Sequence, residues 1–599
     1  MLFAQLATHL DKIEQQSARL AMTVSLAKLY QELSPEEANI SSHLLTGQLL
    51  PAYSGLEFNL SDKMILSCLA GLVLDYGGLA DSGVAVDIFG NQSNDFALSE
   101  IKKLYKNSGD LGETAQTVIE KLATPPNTSL TVTQVYKQLL VIAQTNGIGS
   151  QEEKKLLLKK LLSSLSGLQA KYVVRVILGK MRLGFSLMTI FDSLSWAATD
   201  SKAESQLLED LYQQKADVGL LATQYLSLLK KTPSLRKQTL LDTYTVSVGV
   251  PVVPALCQRL NSASEIIEKM TEVIAEPKYD GMRVQIQIKN GQVWAFTRSL
   301  ENISHTYPEL NTLASELHVE NVILDSEVVG YDKKTGAFLT FQDTITRKRK
   351  HDIANAAAAV PVKFFVFDIL YLNGQSLLHH PLSQRKEILA KILPKNGQVA
   401  SPTPYLVTDD DKILKDYHEK MLAEGLEGVV VKQTESFYKS GRKGWQWVKI
   451  KEEEGTQGKL NDTLDLVVMG YYFGRGKRSG FGIGAFLTGL INEKGEVFSF
   501  SKIGTGITDE MFGQLKVLFD QHKTTVAPTT YLVDKTLAPD VWLEPQVVVE
   551  IAADEITRSS LHTSGFGLRF PRLIKVRNDK KPPEATKIEE LNNITGNAS

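Results

Sequence analysis

Glu276-Pro277-Lys278-Tyr279-Asp280-Gly281-Met282-Arg283, running on into VQIQIKNGQVWAF (284–296), is the stretch on which the reading of this chain turns. Val284, Ile286 and Ile288 alternate with Arg283, Gln285 and Gln287, which is the period of a strand, and Asn290-Gly291 offers the chemistry of a tight hairpin turn before Val293. A lysine therefore stands just ahead of a hairpin in a K-x-D-G-x-R pattern. Four fixed types at that spacing arise by chance in such a chain with probability on the order of one per cent. Asp-Gly is common in turns, so the octet alone also fits a surface lysine before a strand. The flanking sequence has to decide.

Downstream, apolar runs of buried-strand length occur at VILD (322–325), FFVFDILYL (364–372) and GVVVK (428–432), with helical stretches such as 411–422 between them. Residues 241–452 thus read as a mixed α/β domain, entered through the linker-like GVPVVP (249–254). Upstream, 1–240 reads as all-α. Leu157, Leu158, Leu161 and Leu162 recur at helical spacing among lysines, AKYVVRVILGKMRLG (170–184) continues in that style, and strand signals are few apart from a run near 84–88. Over 453–599, DLVVMGYYFG, AFLTGLI, EVFSFSKIG and QVVVEIAA are short strands between glycine-rich or charged turns, the pattern of a small β-barrel, with a tail after Lys580 expected to end in disorder.

Bulk properties narrow the class. At 599 residues the chain is too long for one core, and 43% hydrophobic with 22% charged residues is ordinary globular usage. Two cysteines, Cys68 and Cys257, cannot build a disulfide framework or a four-cysteine zinc site. No apolar run reaches the ~20 residues of a membrane span, and the cytoplasm is the expected location. A net charge of −2 argues against a general DNA-coating protein, although phosphate binding depends on local patches.

Further short motifs follow the octet in order: Phe296-Thr297-Arg298, Leu324-Asp325-Ser326-Glu327, Phe367-Asp368-Ile369-Leu370-Tyr371, Glu427-Gly428-Val429-Val430-Val431-Lys432, Trp447-Val448-Lys449-Ile450-Lys451, and Arg569-Phe570-Pro571-Arg572 leading to Arg577-Asn578-Asp579-Lys580. This ordered set resembles the covalent nucleotidyltransferases, and most closely the ATP-dependent DNA ligases of archaeal type. Outside the motifs the resemblance includes Gly147-Ile148-Gly149-Ser150, Gly179-Lys180-Met181-Arg182-Leu183-Gly184 and Trp542-Leu543-Glu544-Pro545. It implies three modules: a helical DNA-binding domain (1–240), an ATP-grasp-like α/β nucleotidyltransferase domain (241–452) and a C-terminal OB-fold barrel (453–599).

The resemblance also implies roles. Lys278 attacks the α-phosphate of ATP, holds AMP as a phosphoramidate, and passes it to the 5′-phosphate of nicked duplex DNA, where the 3′-hydroxyl displaces it. A lysine amine does this only when deprotonated, and the transfer steps depend on positioning and charge neutralisation. Arg283, Arg298, Lys449 and Lys451 match the pocket's cations. Glu327 matches the ribose contact, and Glu327 and Glu427 are the carboxylates expected to hold Mg²⁺. Phe367 matches the aromatic that stacks on adenine, Glu276 the residue at the adenine edge, and Lys432 the contact to the transferred phosphate. Arg577, Asp579 and Lys580 match the element that orients the leaving pyrophosphate.

Two positions depart from the family pattern. Where an arginine is common before the W-x-K-x-K element stands Lys443, preceded by Arg442, and either could supply the cation. Val253 occupies a linker position that is usually basic.

For DNA, the expected basic stretch is Lys154, Lys155, Lys159, Lys160, Lys171, Arg175, Lys180 and Arg182, with Arg347-Lys348-Arg349-Lys350-His351 and the Gly474–Arg478 loop as further contacts. A sliding clamp is a candidate partner, although no glutamine-containing, paired-aromatic peptide stands out, and a monomer is expected. An NAD-dependent ligase is disfavoured by the cysteine count, and an RNA ligase or capping enzyme by the long helical region. A catalytically silent scaffold is disfavoured by intact Lys278, Glu327, Glu427 and Lys449.

Overall fold

The computed structural model describes residues 1–76, 94–122, 129–260, 262–347, 355, 357, 359–451, 463–474, 476–553 and 555–594. The strand signal expected near 84–88 lies outside them. Two compact units form, one of Met1–Asn94 with Ala115–Lys451, the other of Asp95–Thr114 with Glu452–Ser599. Among the described residues no helix is long and apolar enough to cross a membrane.

The first unit begins with helices, and their starts are written in the sequence. Ser34 with Glu37, Thr131 with Gln134 and Ser166 with Gln169 form reciprocal caps for Pro35–Leu45, Val132–Gln144 and Gly167–Ile177. The last of these helices is held from inside by charge. Lys171, Tyr172 and Arg175 converge on Glu14, with Arg175 reaching its oxygens at 2.7 and 3.1 Å. Despite burial, these partners keep the Glu14 carboxyl below its ordinary range. Lys154 is buried too, donating to the Phe58 carbonyl at 2.7 Å. Lys154, Lys171 and Arg175 are therefore core ion-pair and capping groups, not the DNA-facing surface expected of them.

After the helices, two sheets carry the α/β region. The strands used below are β1 (Val273–Pro277), β2 (Met282–Lys289), β3 (Gln292–Thr297), β4 (Asn321–Gly330), β5 (Val362–Leu372), β6 (Gly428–Gln433) and β7 (Trp447–Lys451). One sheet runs Gln258–Arg259, β7, β6, β1, Leu406–Thr408; the other runs β3, β2, β4, β5, Gln375–Ser376. The expected hairpin forms, with Asn290 and Gly291 both left-handed (φ 50° and 79°), as a primed turn requires. Val284, Ile286 and Ile288 enter the apolar core with Leu324, Phe364 and Val366. On the opposite face of β2, Gln285 and Gln287 are also buried, because the 249–252 linker lies over them. Their amides bond the backbone of Gly249, Val250 and Val252 at 2.7–3.1 Å. The proline-rich break is thus a strap and not a free tether, since buried linker backbone must find partners.

In the second unit β8 (Leu464–Tyr472), β9 (Ala485–Ile491), β10 (Val497–Ile503), β11 (Val548–Ala552) and β12 (Arg572–Val576) belong to one sheet, in which β8 is flanked by β9 and β11 and β12 pairs with β11. The register slips at Val468/Gly470, and a Cβ on Gly470 would lie 2.5 Å from the Val541 carbonyl. The tail after Lys580 carries a helix, Ile588–Ile594, whose Leu591 is fully buried in the unit's core; its end, 595–599, where disorder is expected, lies outside the described residues.

Candidate active site

Lys278 leaves β1 where the chain crosses from one sheet to the other. Its N–H donates to Gly428 O (2.9 Å) and its carbonyl accepts from Glu427 N (3.1 Å), so Lys278 and the start of β6 are fixed together. The Lys278 ammonium, 20% exposed, pairs with the Glu427 carboxylate. Asp280 lies beside this pair and accepts the Phe341 N–H at 2.9 Å. Burial and its hydrogen bond with Glu427 keep the Asp280 carboxyl above its usual range. Gly281 is required by space: a Cβ there would meet the Val328 carbonyl at 2.4 Å. Gly281→Ala should therefore cost about 1–3 kcal/mol in denaturant unfolding. An unchanged unfolding midpoint would refute the close-approach argument.

On β2, Arg283 forms a fork with Asp325 of β4 (3.0 and 2.6 Å), contacts the Tyr438 hydroxyl at 3.2 Å and donates to Ala255 O. Burial opposes its charge, but Asp325 outweighs it and holds the guanidinium above its ordinary pKa. Glu327 is in register with Arg283. Burial pushes its carboxyl up to about 8, with Asp325 and Glu427 adding to this and Lys278 and Arg283 opposing it. Burial is the largest of these effects, and the two cations offset it only in part.

Phe367 sits at a bulge. Ser326 pairs with Val366 and Asp325 with Asp368, leaving Phe367 as the extra residue. Phe364, Val366 and Ile369 face one core, while Phe367 packs against the cluster containing Trp447 and Tyr438. Arg283 and Lys432 lie 5.3 and 4.4 Å from its ring centre. Phe365 instead stacks on Tyr279 at 4.1 Å. Lys432 and Glu276 are both buried and pair at 2.6 Å, and Lys386 takes the other oxygen of Glu276. Burial keeps the Lys432 amine below its ordinary pKa.

The remaining candidates divide. Lys449 pairs in register with Val430, and Lys451 with Gly428, the residue after Glu427. Arg298, just past β3, is exposed without a partner among the described residues. Arg442 is exposed, whereas Lys443 pairs with Glu209 (3.0 Å) and Asp210 (3.6 Å) of the helical part. In the second unit Arg577 binds Asp465 (2.9 Å) and Asp579 (2.7 Å), and Lys580 binds Asp465 at 2.5 Å. The hydrogen bond to Arg577 holds the Asp579 carboxyl well below its usual range.

Two basic runs change meaning. Arg347 is buried and pairs with Glu309 while donating to Val360 O, so it props its own loop; Lys348–His351 lie outside the described residues. Arg478 turns inward to the carbonyls of Gly484 and Gly504 at 3.1 and 3.0 Å. Conversely, Asp325, Tyr438, Trp447 and Lys386 join the site from outside the expected set. Asp325 and Trp447 lie within the ordered motifs, but nothing local to Tyr438 or Lys386 marks them.

A lysine at a sheet crossing, ringed by carboxylates, cations and an aromatic ring, suits a covalent nucleotidyl carrier. Comparison with known proteins agrees along the whole chain. Residues 2–195 match the family description "DNA ligase N terminus", 254–451 "ATP dependent DNA ligase domain" and 479–580 "ATP dependent DNA ligase C terminal region". A "Probable DNA ligase" of Dictyoglomus turgidum is 35% identical, with 99% of this chain and 97% of that protein covered. "DNA ligase 2" of Thermofilum pendens is 36% identical, covering 98% and 96%. The solved structure "Pmar-Lig_PreS3" shares the fold, with a TM-score of 0.53, 15% identity, and 95% and 99% covered. The chain belongs to the ATP-dependent DNA ligases. Its architecture is the family's three-domain one, with a helical N-terminal and a sheet-rich C-terminal region, and its activity is to seal nicked DNA through an adenylylated enzyme.

The family's reaction implies a divalent metal, and the residues at hand fit one. Among the described residues no group of three or more His, Cys, Asp and Glu is placed to hold an ion. Mg²⁺, however, commonly takes one or two carboxylates and completes its shell with water and phosphate oxygens. Glu427 beside Lys278, and Glu327 in register with Arg283, provide hard oxygen donors.

Proposed function

We propose that Lys278 is the nucleophile that carries AMP, and that the residues around it divide the work of binding ATP. The observation that carries this is the meeting of both sheets at one crossing: β1 brings Glu276 and Lys278, β6 brings Lys432, and β2, β4 and β5 bring Arg283, Glu327 and Phe367. The Lys278 ammonium must lose a proton before attack, and the Glu427 carboxylate in contact with it is the acceptor within reach. Lys278 then displaces pyrophosphate from the α-phosphate of ATP. The AMP moves to the 5′-phosphate at a nick, and the 3′-hydroxyl expels it as the strand closes.

Phe367 offers the ring for adenine and Glu276 the acceptor at its edge; Glu327 takes the ribose. Arg283, Arg298, Lys432, Lys449 and Lys451 neutralise the phosphates, where preorganised charge supplies most of the rate. Glu327 and Glu427 would hold Mg²⁺, which when bound supplies charge neutralisation on the triphosphate. Arg577, Asp579 and Lys580 orient the leaving pyrophosphate. We assign 1–240 to DNA binding, 241–452 to nucleotidyl transfer and 453–599 to an OB-fold, acting as a monomer in the cytoplasm on nicked duplex DNA. A sliding clamp is the candidate for recruitment.

The test is to incubate the protein with α-labelled ATP and Mg²⁺, then chase with nicked duplex. Label should appear on the denatured chain, move to the DNA, and fail to form in excess EDTA. Label that moved only to RNA ends would overturn the substrate assignment. The same assay resolves the basic position near 442. Because Lys443 is committed to Glu209 and Asp210, Arg442→Ala should slow labelling about tenfold or more, the cost of roughly one charge-assisted hydrogen bond, and Lys443→Ala far less. Equal effects would reject Arg442 as the nucleotide cation.

A further inference from the structure

The helix Leu382–Ile392 delivers two neighbouring cations to two buried carboxylates, one in each sheet of the α/β region. Arg385, wholly buried, forks onto Asp368 of β5 at 2.7 and 3.0 Å and also binds the carbonyls of His380 and Ser436. Lys386, equally inaccessible, places its ammonium on Oε1 of Glu276 in β1, 5.0 Å from the Tyr405 ring centre. Lys432 occupies Oε2 of the same carboxylate at 2.6 Å. Glu276 thus has two ammonium partners with different freedoms. Lys432 also lies within 4.4 and 4.1 Å of the Phe367 and Trp447 ring centres, at the nucleotide region. Lys386 comes from a helix pinned beside it by Arg385, and faces no group assigned to phosphate.

A buried ion pair is a poor source of net stability, because desolvation offsets most of the attraction. This one does more to set the direction of Glu276. If Lys432 turns to the phosphate in transfer, Oε2 is released as an acceptor, while Lys386 still holds Oε1 and fixes how the carboxylate faces. We propose that Lys386 is a positioning residue for purine selection: it holds Glu276 as an oriented, single-sided acceptor for the 6-amino group of adenine. The inference rests on the reading of Glu276 as the base-edge contact. A carboxylate oxygen aimed at the base edge attracts a 6-amino donor and repels a 6-oxo acceptor. Without Lys386 the carboxylate is free to turn that oxygen away from the edge, and the discrimination weakens.

ATP and ITP differ only along that edge, where ITP has a 6-oxo acceptor for the 6-amino donor and a proton on N1, so the experiment compares kcat/KM for Lys278 adenylylation by each, using the full-length chain. The ratio is independent of the fraction of active protein, so partial misfolding does not distort it. In Lys386→Met the preference for ATP should narrow by about tenfold or more, the discrimination expected from one buried charge-assisted contact. Lys386→Gln, also uncharged, should narrow it likewise, and Lys386→Arg should restore it. A purely structural role would lower both rates and leave the ratio alone. A ratio unchanged in Lys386→Met and Lys386→Gln overturns the proposal. Glu276→Gln separates the two layers. If it shifts the ratio while the Lys386 variants do not, only the role of Lys386 fails. If it too leaves the ratio unchanged, the base-edge reading fails and the proposal with it.

Discussion

Lys278→Ala should take up no label from α-labelled ATP, and its closure of an ordinary nick should fall by about 10⁴-fold or more, the scale on which removing a covalent nucleophile acts. The loss belongs to the chemistry and not to the fold. The side chain is partly exposed and its single ion pair with Glu427 reaches solvent, so removing it should cost within about 1 kcal/mol of stability. Lys278→Arg should be as inactive, although it keeps the charge and the Glu427 contact, because a guanidinium does not give up its proton to become a nucleophile. A nick already carrying 5′-adenylate should still be closed by either variant, since the last step needs no free amine. Labelling retained in Lys278→Ala would remove the central residue from the mechanism.

Arg283→Met should produce the largest loss of stability among the site substitutions, about 3–5 kcal/mol, the usual consequence of stripping one partner from a buried pair. Asp325 is almost fully buried, and without the guanidinium fork it keeps, among the described residues, the Tyr438 hydroxyl at 2.8 Å. The Ala255 carbonyl loses its donor at the same time, and the Phe367 and Trp447 rings lose the cation 5.3 and 5.6 Å from their centres. Stability and ATP binding should therefore fall together. Adding Asp325→Asn to Arg283→Met should recover part of the stability, because the stranded charge is gone, but not the nucleotide affinity. Urea unfolding of the four proteins of this cycle measures the coupling. A loss under about 1 kcal/mol in the single variant would show that Asp325 finds water or another cation.

Much of this was legible in the linear chain. Alternation and Asn290-Gly291 specify the hairpin, apolar runs specify β4, β5 and β6, and Ser or Thr three residues before Glu or Gln specifies helix starts, because each depends on neighbours in sequence. The order of short motifs, each on its own strand or turn, pointed to Lys278 and the groups that gather near it. Charge was read less well. Lys154, Lys171, Arg175, Arg347 and Arg478 look like a DNA-facing set, yet each is turned inward onto a carboxylate or carbonyl. A lone cation carries no mark of whether its partner will be phosphate or a distant acid of the same fold.

Residue type, spacing and order along one line point to Lys278 as the proposed nucleophile, give the strand-and-turn frame that holds it, and indicate the family. What folding adds is which carboxylate each cation answers to: Asp325 for Arg283, Glu276 for Lys386 and Lys432, Glu209 and Asp210 for Lys443. Ion pairing acts through space over a few ångströms and takes no account of how many residues lie between the partners. Those pairings form only once the two sheets and their covering helices have closed together.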